Sequence, residues 1–400
     1  MLFIPSILAL VALSGRSQAS SSARSASATC IPTAGGSSSI DDVPAIESAI
    51  ASCPSGTVVL PAGTTYYLNS AMTNFTACAG CTIQIDGTLQ ASNDTDYWDG
   101  REAFIKVGAV DGITFTSQAS GVFDGNGQAS WDLYATNNSY SRPSMLVFSA
   151  CNDVTVENLH FNAPPNAFHH IAGSSTNVLY RNLTMYAVST SDAVAQNTDG
   201  FDVGTSTYVT IRDVTVTNDD DCVVLKPGAN YTEVYDVTCI GGHGLSLGSL
   251  ASTAGTTDTV SNGFYSGITM INNTKAAGVK FFPGGSTYGS AIVSNVTWEN
   301  IVVQNCDYAF QVQTCYEADT DYCATYPSNS QLLDVVVRNM SGYTSSHYAP
   351  VAMNIDCPAN GTCDITMSDI DIVSTGSSTE FLCANTPSDI GINCTAGASG

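Results

Sequence analysis

From about Gly112 onward the chain alternates apolar and polar residues in short runs, each interrupted by Asn, Asp or Gly before alternation resumes. Val154-Thr-Val-Glu-Asn158-Leu-His-Phe161 sets the phrase, and Val209-Thr-Ile-Arg-Asp213-Val-Thr-Val216 repeats it. Further copies centre on Asp236, Gly267, Asn339 and Asp369, and the full set of interrupting residues is 158, 182, 213, 236, 267, 300, 339 and 369. Their spacing of 23 to 39 residues fits one supersecondary unit per repeat with loops of unequal length. Period-2 alternation rich in Val, Ile, Thr and Tyr predicts β-strands. A β-sandwich also has many short strands, but it has no reason to reuse one phrase at every turn. A solenoid buries each turn only against its neighbours and therefore must repeat itself. The predicted fold is all-β, a parallel β-helix, with a short helix over Asp41–Ile50 capping its N-terminal end. No other long stretch shows helical periodicity.

Leu2–Leu13 is an apolar run too short to span a bilayer as a helix, and Ser17-Gln18-Ala19 follows with a small-x-small pattern. Residues 1–19 are thus expected to be a signal peptide, 20–29 a disordered Ser/Ala-rich segment, and 30–400 one domain. No later segment is apolar enough for a membrane span. Fourteen cysteines in an exported chain imply disulfides. The expected pairs are 30–53, 78–81, 222–239, 315–323, 357–363 and 383–394, leaving Cys151 and Cys306 as buried thiols. Ten Asn-x-Ser/Thr sequons, from Asn74 to Asn393, fit a secreted glycoprotein. A net charge of −24, with only 11 Lys plus Arg, would repel nucleic acid and anionic membranes. It also makes each lysine near a candidate site informative.

Three clusters carry the chemistry: Asn197-Thr-Asp199-Gly-Phe-Asp202, Asn218-Asp-Asp220-Asp221-Cys222 and Gly241-Gly-His243-Gly244. Asp199, Asp221 and His243 lie 22 residues apart in turn, about one coil. In a parallel β-helix such positions stack at about 5 Å. A lone Asp-Asp-Asp is more often a solvated turn or a calcium site, and a lone histidine a turn residue. Three clusters in phase are better explained by function, because gathered carboxylates cost stability. The glycines flanking His243 suggest room for a ligand. Carboxyls sharing a site titrate apart, which suits glycoside hydrolysis, where one acid protonates the leaving oxygen and another carboxylate activates water.

Asn-Thr-Asp, Asp-Asp-Cys and Gly-His-Gly, in this order and spacing, resemble the polygalacturonases of glycoside hydrolase family 28, over roughly Val110 to the C-terminus. The resemblance implies a right-handed β-helix and an inverting mechanism that uses no metal or other cofactor. It makes Asp221 the general acid, Asp199 and Asp220 the water-activating pair, and His243 the keeper of the hydrogen-bond network. Inversion implies a carboxyl separation of about 6.5–9.5 Å. The family's Arg-Ile-Lys is represented by Gly278-Val-Lys280, so lysine remains and arginine is lost. That loss removes bidentate grip on a galacturonate carboxylate. It points to a widened pocket for xylose-substituted galacturonan, and restoring arginine at 278 is expected to raise activity on the plain polymer. Lys275 could reach the same region.

Asn197, Lys280, Tyr316, Gly278 and His169 are the expected substrate-binding positions, with Asn166 and His170 beside His169 in the same loop. Trp131 and Tyr134 read as packing residues or a subsite wall. Gly242–Ser249 and Phe281–Gly284 resemble the exo-acting and xylogalacturonan-directed branches. The implied protein is a secreted, extracellular, monomeric hydrolase of α-1,4-galacturonosyl links in pectic polysaccharide. Exo-polygalacturonase and rhamnogalacturonan-directed activity are alternatives within the class. A β-helical lyase would need a basic residue and usually calcium, and a non-catalytic carbohydrate-binding solenoid would have no use for four residues in phase.

Overall fold

The computed structural model of the chain describes residues 28–400. The signal-peptide segment and most of the expected disordered segment lie outside the described residues. The latter ends earlier than expected, because Thr29 and Cys30 already pair with Thr57 and Val58. Among the described residues every strand pairing is parallel, in one 16-stranded and one 11-stranded sheet. The chain passes from one sheet to the other at each turn of a right-handed β-helix.

The interrupting residues form one column. The register places Asn182, Asp213, Asp236, Gly267, Asn300, Asn339 and Asp369 on successive coils. All eight, with Asn158, have φ between 50° and 73°. That left-handed conformation bends the long strand, and among ordinary residues Asn, Asp and Gly adopt it most readily. Their amides add a ladder, with Asn182 donating to Asn158 at 2.7 Å and Asn339 to Asn300 at 2.6 Å. On either side of the bend the alternation returns, as in Ser206–Thr217, where Val209, Ile211, Val214 and Val216 are buried.

Inside the coil like residues stack on like. Phe104, Phe123 and Phe161 follow one another at 6.0–6.3 Å, and Tyr265, Trp298 and Phe310 at 5.5 Å. The capping helix runs over Val43–Ser52 and turns Val43, Ile46, Ala49 and Ile50 onto the open end of the coil. Asp42 does not cap it through its side chain; that carboxylate instead accepts from the Gly35 and Tyr67 amides. A second helix, Gln128–Thr136, was not expected. It packs Trp131 inward, with the indole N–H on Pro164 O at 3.0 Å, which makes this tryptophan a packing residue. All six expected disulfides are present, and Cys151 and Cys306 are free and buried. No helix among the described residues is long and apolar enough to cross a membrane.

Candidate active site

The site lies where the chain turns from the long-strand sheet into the 11-stranded sheet. Asn197–Asp199, Asn218–Asp221 and Gly241–His243 occupy that turn on three consecutive coils. Gln196 bridges to Asp219, and Asp221 pairs with Gly244. The glycines beside His243 make room for backbone, not ligand. A Cβ at Gly242 would lie 2.2 Å from Asp220 O, and one at Gly244, with φ 87°, 2.0 Å from Lys275 O. The coils can therefore approach closely enough for His243 N to reach Asp220 O at 2.7 Å.

Asp221 is 1 % exposed, and both its oxygens are taken. Lys280 Nζ lies 2.6 Å from Oδ2, Ser246 Oγ donates to Oδ1 at 2.6 Å, and Lys275 Nζ stands 3.9 Å from Oδ1. Burial alone would raise its affinity for a proton, but Lys280, then Lys275 and Lys226, hold the carboxyl well below the usual range. Asp221 is thus the most firmly ionised member of the cluster. The expectation that Asp221 carries the acid's proton runs against this geometry, because two ammonium groups and the Ser246 hydroxyl all favour the ionised carboxylate. Its neighbour Asp220 makes no lysine ion pair. Asp220 accepts from Asn197 Nδ2 at 3.2 Å and from the Asp221 amide at 2.7 Å, and its Oδ1 lies 3.2 Å from His243 Nδ1. Burial works upward on Asp220, while the His243 contact holds it somewhat below its ordinary value. Asp199 goes the other way. Burial, then Asp202 and Asp220, push it well up against the pull of Lys226, whose Nζ is 4.0 Å away. Asp199 is therefore the carboxyl of the cluster driven most toward the protonated form, with Asp202 and Asp220 as its acidic neighbours.

An oxygen of Asp220 and one of Asp221 lie within 4.8 Å, as does a His243 ring nitrogen. Three such ligands could be read as a cation site. Lys280 and Lys275 already supply positive charge to Asp221, so the donor set suits proton transfer better.

The expected substrate contacts divide. Lys280 and Tyr316 line a pocket of about 300 Å³ together with His243, Lys275, Tyr308 and His347. Lys280 Nζ also lies 5.3 Å from the Tyr316 ring centroid. Asn197 adjoins the cluster, but its amide is occupied on both sides, with Oδ1 on Arg142 and Nδ2 on Asp220. His169 is corrected outright. It is 0 % exposed, stacked among Phe161, Tyr180 and Phe201, with neither ring nitrogen bonded. The strand His169–Ala172 turns His169 inward and His170 outward, so the loop reading had the wrong parity.

Gly278 does not open a pocket. A Cβ there would meet Gln311 O at 2.3 Å and Lys275 Cδ at 3.1 Å. The stem of Lys275 lies against the glycine, and the space of the lost arginine is occupied by another cation. The expected gain from Gly278→Arg is withdrawn on that geometry. Burial pushes the Lys275 ammonium down to about 8 against the pull of Asp221. Sequence reasoning gave no role to Ser246, Lys226 or Arg142. Ser246 and Lys226 follow the site coils at strand spacing, whereas Arg142 arrives from a distant loop with no local signal.

The family model described as glycosyl hydrolases family 28 matches residues 53–394. Endo-xylogalacturonan hydrolase A of Aspergillus tubingensis is 52 % identical over 377 residues, 94 % of this chain and 92 % of that protein. Probable endo-xylogalacturonan hydrolase A of Aspergillus oryzae is 48 % identical over 375 residues, covering 93 % and 92 %. The crystal structure of the Aspergillus tubingensis endo-xylogalacturonan hydrolase superposes with a TM-score of 0.91 at 51 % identity, over 93 % of this chain and 100 % of that one. Polygalacturonase from Erwinia carotovora shares the fold, with a TM-score of 0.71 at 18 % identity over 93 % and 97 %. This chain belongs to glycosyl hydrolase family 28, and it is a glycoside hydrolase.

Proposed function

We propose that this enzyme hydrolyses internal α-1,4-galacturonosyl links of xylogalacturonan outside the cell, acting as a monomer and with inversion at the anomeric carbon. The observation that carries the chemistry is Asp221, ionised and bonded on both oxygens, beside the carboxyl pair of Asp199 and Asp220. Of that pair Asp220 stands beside the half-exposed ring of His243 and makes no ion pair with a lysine, so it delivers the proton to the departing glycosidic oxygen. Water attacks the anomeric carbon from the opposite face as that C–O bond breaks, and one of its protons passes to Asp199, the more basic carboxylate, while ionised Asp221 orients the water. A covalent glycosyl intermediate would need a free carboxylate, and the bonds of Asp221 to Lys280 and Ser246 leave it a poor nucleophile.

For the substrate, the reading rests on the two Aspergillus relatives at about half identity and on the lining of the pocket. Lys275 and Lys280 offer cations for a galacturonate carboxylate, and the rings of Tyr308 and Tyr316 offer apolar surface to a neutral sugar. The test is product analysis on xylogalacturonan and polygalacturonate side by side, by chromatography with mass detection. Xylose-bearing oligomers released faster from the substituted polymer are expected. Monogalacturonate released only from the plain polymer would make the enzyme an exo-polygalacturonase. Ultraviolet-absorbing unsaturated ends would make it a lyase.

A further inference from the structure

Arg142 is 8 % exposed and touches neither the pocket nor the carboxylates Asp199 and Asp221. It belongs to the loop before the strand Ser144–Ser149, some fifty residues from the first acidic cluster. Its guanidinium lies 3.6 Å from the centroid of the Tyr134 ring, on the helix Gln128–Thr136. In its plane it donates to Pro165 O at 3.0 Å, to Gln196 O at 2.5 Å and to Asn197 Oδ1 at 2.7 Å. Two separate turns and the helix are thus tied together by one side chain whose fork no lysine could reproduce.

The contact with Asn197 has a consequence at the reacting centre. An asparagine amide can face Asp220 with either its oxygen or its nitrogen, and only the nitrogen can donate. A guanidinium accepts nothing, so Asn197 must turn its oxygen to Arg142 and its nitrogen to Asp220 Oδ2, 3.2 Å away. Asn197 is also held at φ 60°, which fixes where its side chain begins. We infer that Arg142 is a positioning residue that locks the Asn197 amide with its N–H toward Asp220, and so sets the ease with which Asp220 holds and releases its proton. This rests on the reading of Asp220 as proton donor. Arg142 itself meets no substrate.

Loss of the lock lets the amide turn its oxygen to Asp220, which removes a donor and favours the protonated carboxyl. Arg142→Met should lower kcat at least tenfold with KM within about twofold, and shift the alkaline limb of the kcat–pH profile upward. Arg142→Lys should restore less than half of the loss. In an Asn197→Ala background, Arg142→Met should add almost nothing. Asn197→Asp keeps the pairing with Arg142 but turns an oxygen onto Asp220, so it should move the same limb upward even if Arg142→Met does not fold. A folded Arg142→Met with the wild-type kcat and pH profile overturns the inference, as do additive losses in the double variant or an unmoved limb in Asn197→Asp. Failure of the underlying reading looks different, since Asp220→Asn would then recover nothing on an aryl galacturonide whose leaving group needs no proton.

Discussion

Lys280 Nζ lies 2.6 Å from Asp221 Oδ2, and the two are all but closed to solvent, with side-chain exposures of 7 % and 1 %. A buried charge pair with this geometry and a further hydrogen bond from Ser246 keeps Asp221 ionised across the working pH range. In the proposed mechanism this pairing decides how the three neighbouring carboxyls divide their work.

Removing the lysine should therefore harm chemistry as well as binding. Lys280→Met leaves the Asp221 carboxylate buried with Lys275, at 3.9 Å, and the more distant Lys226 to offset it, so the carboxyl is expected to take up a proton. The predicted result is a loss of kcat of about 100-fold or more. Steady-state kinetics at several pH values would check it, and the remaining activity should rise toward higher pH.

Lys275 should make substrate binding sensitive to alkali. Its ammonium loses a proton near pH 8, so its grip on an anionic sugar is full below that value and fades above it. In the wild type KM should rise as pH passes 8. In Lys275→Met it should be raised roughly tenfold at pH 5, the equivalent of about 1.4 kcal/mol, and should change little between pH 7 and 9.

Gly278→Arg should disappoint as a route to plain polygalacturonate. With Gln311 O only 2.3 Å from the new Cβ, backbone must shift, at a cost of about 1–3 kcal/mol. Thermal unfolding would show a lowered Tm, and the ratio of activities on the two polymers should not move toward the unsubstituted one.

His169 links the core to pH. Burial pushes its imidazole from 6.5 down to about 3, so the folded protein stays unprotonated where the unfolded chain already binds a proton. The neutral ring is fully tolerated above pH 6.5. Stability then falls by about 1.4 kcal/mol for each pH unit down toward 3. His169→Phe, set among Phe161, Tyr180 and Phe201, should remove that slope. Urea unfolding of both proteins between pH 4 and 7 would measure it.

The coil was legible because its bends demand a rare backbone conformation. Asn158, Asp213 and Gly267 announce it by residue type, and the alternation around them gives the buried face. The acidic clusters were legible because a regular coil turns a 22-residue spacing into contact. The division of labour among the carboxylates was not, since it depends on lysines at 226, 275 and 280 whose reach no spacing reveals. Gly278 misled for a related reason. A missing side chain suggests space, whereas Lys275, three residues earlier, lies against it. The short helix at Gln128 and the guanidinium of Arg142 gave no periodic signal at all.

The most direct test of the account separates proton donation from water activation. Asp220→Asn and Asp221→Asn would each be assayed on xylogalacturonan and on an aryl glycoside of a galacturonic acid oligomer, whose phenolate leaves without needing a proton. Both variants should lose at least about 100-fold on the polymer. On the aryl substrate Asp220→Asn should recover most of the wild-type rate and Asp221→Asn should recover none. Recovery by Asp221→Asn alone would contradict the account and return the acid's role to that residue.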